Sequence, residues 1–388
     1  MTSAAPPRRQ TAGLLVLVVW LVAAYAVALK LIAGRPWEQA LWQSCACLLV
    51  SPLMTTFVLK VLSAPKKLAP AAMLYQALIP LLTLGQYLLP WFGWSALIRW
   101  INGDNITWTL ALRAGGAVTV LSYLGGFTFM LALRPRPSDV EVTDLEVRIA
   151  GLPPAFDGYR ILHVSDIHGG SWLARASVAA KLAPAISLAP DLVVFTGDLA
   201  ARSTAVDASA SDLVDLRARD GKFAVLGNHD TWVGEELLAN ALAHAGFRVL
   251  ANEHVALERG GDTLYLAGVK DASYTRQDDL PAALRGIPDG APVIVLTHSP
   301  DVVLKPTSVG ADPLRPALFL AGHTHGGQIV FPWFGPLYVP TRLGRRRMSG
   351  LIEVNGRQVF VNRGLGEVFL PLRLNCPPEI ALITLRSV

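Results

Sequence analysis

The pattern of apolar and polar positions changes character once along the chain, near residue 134. Before that point the apolar residues run in four long blocks, 11–32, 37–62, 71–98 and 108–133, with no polar face at either helical or strand period. A helix needs roughly 20 apolar residues to cross a bilayer, and each block is long enough. A soluble bundle built from such runs would have no polar surface to show water. The joints between blocks are short and polar: Gly34-Arg35-Pro36, Ala64-Pro65-Lys66-Lys67 and Asn102-Gly103-Asp104-Asn105. Trp37, Tyr87, Trp91, Trp94, Trp100 and Trp108 lie near block ends, as an interfacial aromatic belt requires. A cleavable signal peptide is the rival reading of the first block, since Arg8 and Arg9 precede it, but its length and the three blocks that follow favour an all-α transmembrane region of about four helices.

The linker Arg134-Pro135-Arg136-Pro137-Ser138 stops the last helix and stiffens the exit. Beyond it the apolar runs shorten and become rich in Val, Ile and Leu. They predict strands at 140–149, 159–164, 191–196, 223–226, 263–269, 293–297, 318–320, 358–361 and 380–385. Helical spacing between them predicts helices at 173–188, 212–219 and 235–245, and the small polar stretch 200–211 reads as a flexible surface loop. Strands alternating with helices predict a layered α/β architecture. The division expected is a membrane region over 1–134, a linker and first strand over 135–158, and a catalytic domain over 159–388.

Composition sharpens this division. The 388 residues are only 16% charged, and the mean hydropathy of +0.41 is too high for an ordinary soluble protein. All eight histidines lie after residue 134. The net charge of +5 does not point to nucleic acid, because the basic residues are scattered or flank the apolar blocks. Arg8, Arg9, Lys60, Lys66, Lys67, Arg134 and Arg136 outnumber the basic residues of the other two loops, Lys30, Arg35 and Arg99. The positive-inside rule then puts both termini, and with them the catalytic domain, on the cytoplasmic side of a multi-pass protein of the cell (inner) membrane. Three cysteines, two of them inside an apolar block, provide no disulfide framework.

The chemistry is concentrated just after the predicted strands. In order come Ser165-Asp166-Ile167-His168, Gly197-Asp198, Gly227-Asn228-His229-Asp230, Thr297-His298-Ser299 and Gly322-His323-Thr324-His325. Five predicted strand ends thus carry potential metal donors, and sheets of this kind gather ligands at the carboxyl ends of their strands. Imidazole with carboxylate suits Mn, Fe or Zn, manganese being the first expectation, whereas Ca or Mg would favour oxygen alone. Two divalent ions roughly 3.5–4 Å apart would neutralise a phosphate ester and acidify a bound water. A neighbouring histidine would protonate the leaving alkoxide. The other histidines read as structural: His163 has the wrong strand parity relative to Asp166, His244 ends a helix, and His254 has no partner motif. Asp230 either orients His229 or caps the next helix, and Arg363 either meets a phosphate or forms a surface ion pair.

Together these motifs resemble the calcineurin-like metallophosphoesterase superfamily, whose pattern is DxH, GD, GNH[DE], H and GHxH. Every element is present between residues 159 and 385. The resemblance implies a four-layer α/β/β/α sandwich. It also implies Asp166, His168 and His325 around a first metal, a bridging Asp198, and Asn228, His298 and His323 around a second. His229 becomes the general acid or a transition-state stabiliser. Gly326-Gly327-Gln328, Asn362-Arg363-Gly364-Leu365-Gly366 and Pro371-Leu372-Arg373 look like the YkuE- and YaeI-like, membrane-associated bacterial branch.

Downstream of the last ligand, Phe331, Trp333, Phe334, Leu337 and Tyr338 precede Arg342, Arg345, Arg346 and Arg347. That is either a packed loop with a solvated basic turn or a surface for docking on an anionic bilayer. The reading is a membrane-anchored, dinuclear-metal-dependent phosphoesterase, its substrate lipid-linked or related to the cell envelope. Its expected partners are the lipid bilayer and a phosphate-ester substrate, with no nucleic acid and no obligate protein partner. The alternatives are a tethered phosphodiesterase for soluble nucleotides and a membrane sensor or scaffold with a metal-binding module.

Overall fold

The computed structural model describes residues 135–170, 178–306 and 316–388, apart from 334, 337 and 369–371. The four expected membrane spans lie outside these residues. Among the described residues no helix is long and apolar enough to cross a membrane.

Two six-stranded sheets face each other. The first has the order β1-β14-β2-β3-β4-β5, with β1 Glu141–Ile149, β2 Arg160–Val164, β3 Leu192–Phe195, β4 Lys222–Ala224, β5 Phe247–Val249 and β14 Glu379–Ser387. The second has the order β12-β13-β9-β8-β7-β6, with β6 Glu253–Arg259, β7 Asp262–Gly268, β8 Val293–Leu296, β9 Pro316–Ala321, β12 Gly350–Val354 and β13 Arg357–Val361. A small hairpin joins β10 Val330–Phe331 to β11 Gly335–Pro336. β1 pairs along its whole length with β14, so the strand after the linker is an integral edge of the first sheet.

Strand parity explains the layers. Ile161, Leu192, Val194 and Ile383 of the first sheet interdigitate with Leu264, Leu266, Ile294, Leu296 and Leu318 of the second to form the central core. The alternate residues Leu162, Val164, Val193 and Phe195 face outward. They pack under helices α1 Val178–Ile186, α2 Val206–Ser211 and α4 Glu235–His244. On the second sheet Val293, Val295 and Phe319 are covered by α5 Leu280–Leu284 and the 3-10 turn Pro300–Leu304. The short helix α3 Asn228–Val233 sits between β4 and α4. The result is an α/β/β/α sandwich with its fully apolar strands central, as two-sided burial demands.

Two expectations require correction. Residues 212–219 do not form a helix: Leu213 and Leu216 are buried at helical spacing, but Leu213 N–H reaches Ala210 O and Leu216 N–H reaches Leu213 O, in successive turns. The helix lies earlier, as α2, inside the stretch read as a flexible loop. Small residues are wanted there because Ser209 packs directly on Gly169, where even a Cβ would collide. The sequence pattern also passes over β5, β6 and β12. These are sheet edges, and the polar-rich alternation of Glu253–Arg259 suits a strand paired on one side only.

Candidate metal centre

Parallel pairing of β2, β3 and β4 in one sheet and of β7, β8 and β9 in the other brings the carboxyl ends of both sets together. Each donor leaves its strand at once. Asp166 and His168 follow β2, Asp198 follows β3, Asn228 opens α3 after β4, His298 follows β8, and His323 and His325 follow β9. To turn inward so abruptly, Asp166, His168, Asp198, His323 and His325 all adopt positive φ, between 47° and 70°. Asp and His tolerate this region better than most residues, yet each instance is strained, and such strain collects at functional sites. Two glycines let the strand ends approach one another. A Cβ on Gly227 would strike Asp198 Oδ1, and one on Gly322 would strike Asp166 Oδ2.

The donor atoms converge. His325 Nε2 lies 3.3 Å from Asp166 Oδ1 and 3.1 Å from His168 Nε2. Asp198 Oδ2 is 3.4 Å from His168 Nε2 and 3.3 Å from His298 Nε2. His298 Nε2 is in turn 3.1 Å from Asn228 Oδ1 and 3.0 Å from His323 Nδ1. Ligands held at about 2.0–2.2 Å from one ion are spaced about 3.0–3.4 Å apart, so this donor set fits metal coordination. Asp166, His168 and His325 form one group, and Asp166, Asp198 and His298 form another. The Asp198 carboxylate lies between His168 and His298, which suits two adjacent ions. His229 N–H donates to Asp198 Oδ1 at 2.9 Å, and its ring sits 4.6 Å from that of His168. The structure therefore brings together all eight residues singled out from the sequence. Divalent ions bound here would supply charge neutralisation and an activated water.

Electrostatics in the metal-free protein follow from packing two carboxylates and several imidazoles out of water. Burial pushes Asp166 up to about 6, assisted by the negative Asp198. Burial also opposes ionisation of Asp198, but His298, His229 and His168 overcome it and hold this carboxyl well below its usual range. His298 is correspondingly raised to about 10, because Asp198 outweighs its own burial. Burial lowers His168 and His323 to about 3 each and lowers His229 and His325 as well, favouring neutral imidazoles. His298 Nδ1 lies 2.8 Å from Thr196 O, which leaves Nε2 facing the other donors.

A surrounding layer holds the donors in place. Asp230 Oδ2 accepts from Asp198 N–H at 2.7 Å and Gly227 N–H at 2.9 Å, while Oδ1 accepts from Leu199 N–H at 2.8 Å. It therefore caps α3 through Gly227 and also fixes the backbone of Asp198. His163 lies in the inter-sheet layer, its ring near Phe360 and its Nε2 2.8 Å from Thr196 Oγ1. Arg363 is engaged with Glu141 at 2.8 Å and Glu379 at 3.1 Å, as an ion pair.

Sequence reasoning missed Arg373, the largest fully buried side chain among the described residues. Its Nη2 donates to the carbonyls of Arg363, Gly364 and Gly366 at 2.8, 3.0 and 2.5 Å, and lies 3.4 Å from His325 Nδ1. Asp271 was missed as well. Buried itself, it accepts from Ser273 and Tyr274 N–H and from Ser273 Oγ, which lies 3.4 Å from Asn228 Oδ1. In the sequence Arg373 stood out only within the Pro371-Leu372-Arg373 run of the branch resemblance, with no role attached to it, and Asp271 had no signal.

Comparison with known proteins agrees with this geometry. The profile of the calcineurin-like phosphoesterase family matches residues 159–327. The uncharacterized metallophosphoesterase YkuE of Bacillus subtilis is 32% identical over 282 residues, spanning 71% of this chain and 92% of that protein. The phosphodiesterase YaeI of Escherichia coli is 31% identical, spanning 58% of this chain and 82% of its own length. A transmembrane protein with metallophosphoesterase domain from Bos taurus is 31% identical, spanning 75% of this chain and 67% of its own. With the donor set intact and the likeness extending over nearly all of YkuE, this chain belongs to the calcineurin-like metallophosphoesterase family and is a metal-dependent phosphoesterase.

Proposed function

We propose that the protein is anchored in the inner membrane by its N-terminal apolar blocks and hydrolyses a lipid-linked phosphate ester or diester at the cytoplasmic surface. In this reading Asp166, His168 and His325 hold one ion, Asn228, His298 and His323 hold a second, and Asp198 bridges them. Manganese is the first choice of metal. His229 stands beside the bridging carboxylate, where it would hand a proton to the departing oxygen. Burial, with His298 assisting and Asp198 opposing, lowers His229, so it relies on the negative charge of a bound phosphate to hold that proton.

The observation that carries the membrane part is the segment after His325. Trp333 is 85% exposed and Tyr338 66% exposed, and Arg342, Arg345, Arg346 and Arg347 are exposed beside them. Large aromatics left in water next to a basic cluster suit an interface with anionic headgroups. The segment is also tied to the ligand turn. Thr324 Oγ1 donates to Met348 O at 2.6 Å, and Pro336 packs where a Cβ on Gly327 would sit. A surface docked through this segment would therefore lie close to the donors.

The test uses the full-length protein in lipid vesicles, loaded in turn with Mn, Fe and Zn and assayed on phospholipid-type diesters, pyrophosphate lipids and soluble nucleotides. Preference for lipid substrates, lost when the four arginines become glutamine while turnover of soluble esters persists, is the expected result. Unchanged turnover on vesicles in that variant, or a preference for cyclic nucleotides, would sink the lipid reading.

A further inference from the structure

Beyond the metal donors a line of aromatic rings leads out to solvent. The His168 ring meets that of His229 edge-on, with centroids 4.6 Å apart and planes at 85°. His229 in turn lies 4.4 Å from Trp232, and Trp232 lies 5.2 Å from Tyr274 with the planes at 90°. Yet Trp232 is 52% exposed and Tyr274 61% exposed. Neither ring belongs to any of the three apolar cores. Two exposed aromatics in contact beside the metal donors, with no packing duty, form a patch of the kind that marks a ligand surface.

The segments that carry the two rings are braced although the rings are exposed. The turn carrying Tyr274 is organised by the buried Asp271, which accepts from Ser273 N–H at 2.9 Å, Ser273 Oγ at 2.6 Å, Tyr274 N–H at 2.8 Å and Thr275 N–H at 3.2 Å. Trp232 lies in α3. The carboxylate of Glu235, 3.4 Å from Thr231 Oγ1 of that helix, pairs with Lys270 of the loop after β7 at 3.4 Å.

We infer that Trp232 and Tyr274 form an aromatic wall that takes the flat face of a ring in the alcohol portion of the substrate, either a sugar or a nucleobase. The inference rests on the phosphoesterase reading of the adjacent donors, since it is His229 that would face the departing oxygen. Two rings at a right angle form an open corner, one face with one edge. A planar or chair-shaped ring covers that face in a single stack, whereas an extended acyl chain needs a closed apolar trough.

The test measures equilibrium binding to the full-length, manganese-loaded protein by calorimetry. Five probes are used: uridine 5′-monophosphate, N-acetylglucosamine 1-phosphate, glycerol 3-phosphate, phosphocholine and inorganic phosphate. Trp232→Ala and Tyr274→Ala are expected to weaken a ring-bearing probe about tenfold or more, the scale of one stacking contact. Glycerol 3-phosphate and inorganic phosphate should change less than about twofold, and Trp232→Phe should keep most of the wild-type affinity. Whichever ring-bearing probe loses more identifies the source of the ring. Equal losses for all probes, no loss for any, or a loss confined to phosphocholine would overturn the inference. Failure of wild-type protein to bind even inorganic phosphate would instead refute the phosphoesterase site itself.

Discussion

Replacing Arg373 by methionine is the sharpest test of how the donor set is held. The guanidinium is 1% exposed and occupies the space beneath the His325 turn. Its Nη2 serves the carbonyls of Arg363, Gly364 and Gly366, all within 3.0 Å, and Nη1 lies 3.4 Å from both His325 O and Cys376 O. Nη2 has two hydrogens, so its three close acceptors count as two charge-assisted bonds, each worth about 1.5–3 kcal/mol. Methionine fills similar volume and avoids a cavity, but leaves those carbonyls facing a thioether. The expected loss is about 3–6 kcal/mol, a large share of a typical folding free energy of about 5–15 kcal/mol. Because the same guanidinium also reaches His325 O and so holds the backbone of the turn that carries this ligand, metal affinity should also fall by about 10–100-fold. Denaturant unfolding of the metal-free protein measures the first quantity, and competition with a calibrated chelator measures the second. Arg373→Lys should recover part of the stability but not the His325 alignment, since one ammonium cannot span both. A methionine variant within about 1 kcal/mol of wild type, with unchanged metal affinity, would refute this account.

Two further outcomes follow from the site. His229→Ala should lower turnover by about 10²–10⁴-fold, the usual scale of proton transfer, while the protein still takes up two ions. Elemental analysis showing a single ion would make His229 a ligand instead, as its place near His168 and Asp198 allows. The second concerns pH. With its pKa raised to about 10, protonated His298 stabilises the metal-free protein fully below about 6.5, and that contribution is lost as pH rises towards 10. An ion needs the free imidazole, so metal uptake expels this proton and affinity should rise about tenfold per pH unit across that window. Below about 6 Asp166 takes up a second proton and the dependence should steepen. Melting temperatures with chelator and with manganese, compared from pH 5.5 to 9, check this: the metal-induced gain must grow with pH, and a flat gain would be fatal to it.

The amino-acid sequence by itself determined the donors and the layering. Strand periodicity marked 159–164, 191–196 and 293–297, and these segments run into Asp166, Asp198 and His298, because a strand buried on both faces can be built from few residue types. Motif order alone singled out the eight residues that the fold brings together, since metal chemistry tolerates few substitutes for imidazole and carboxylate. What only the tertiary structure decided is everything that depends on proximity between distant segments. Arg373 reads locally as one more basic residue, yet the fold buries it under His325. Asp271 comes near Asn228 only through Ser273, whose Oγ lies between the two side chains. Residues 206–211 look like a loop until Gly169 is packed against Ser209. Trp232 and Tyr274 become neighbours only when α3 and the turn after β7 are brought side by side. Local pattern reports which face of an element is apolar, whereas the partner across a gap is set by the global packing that no short window of sequence contains.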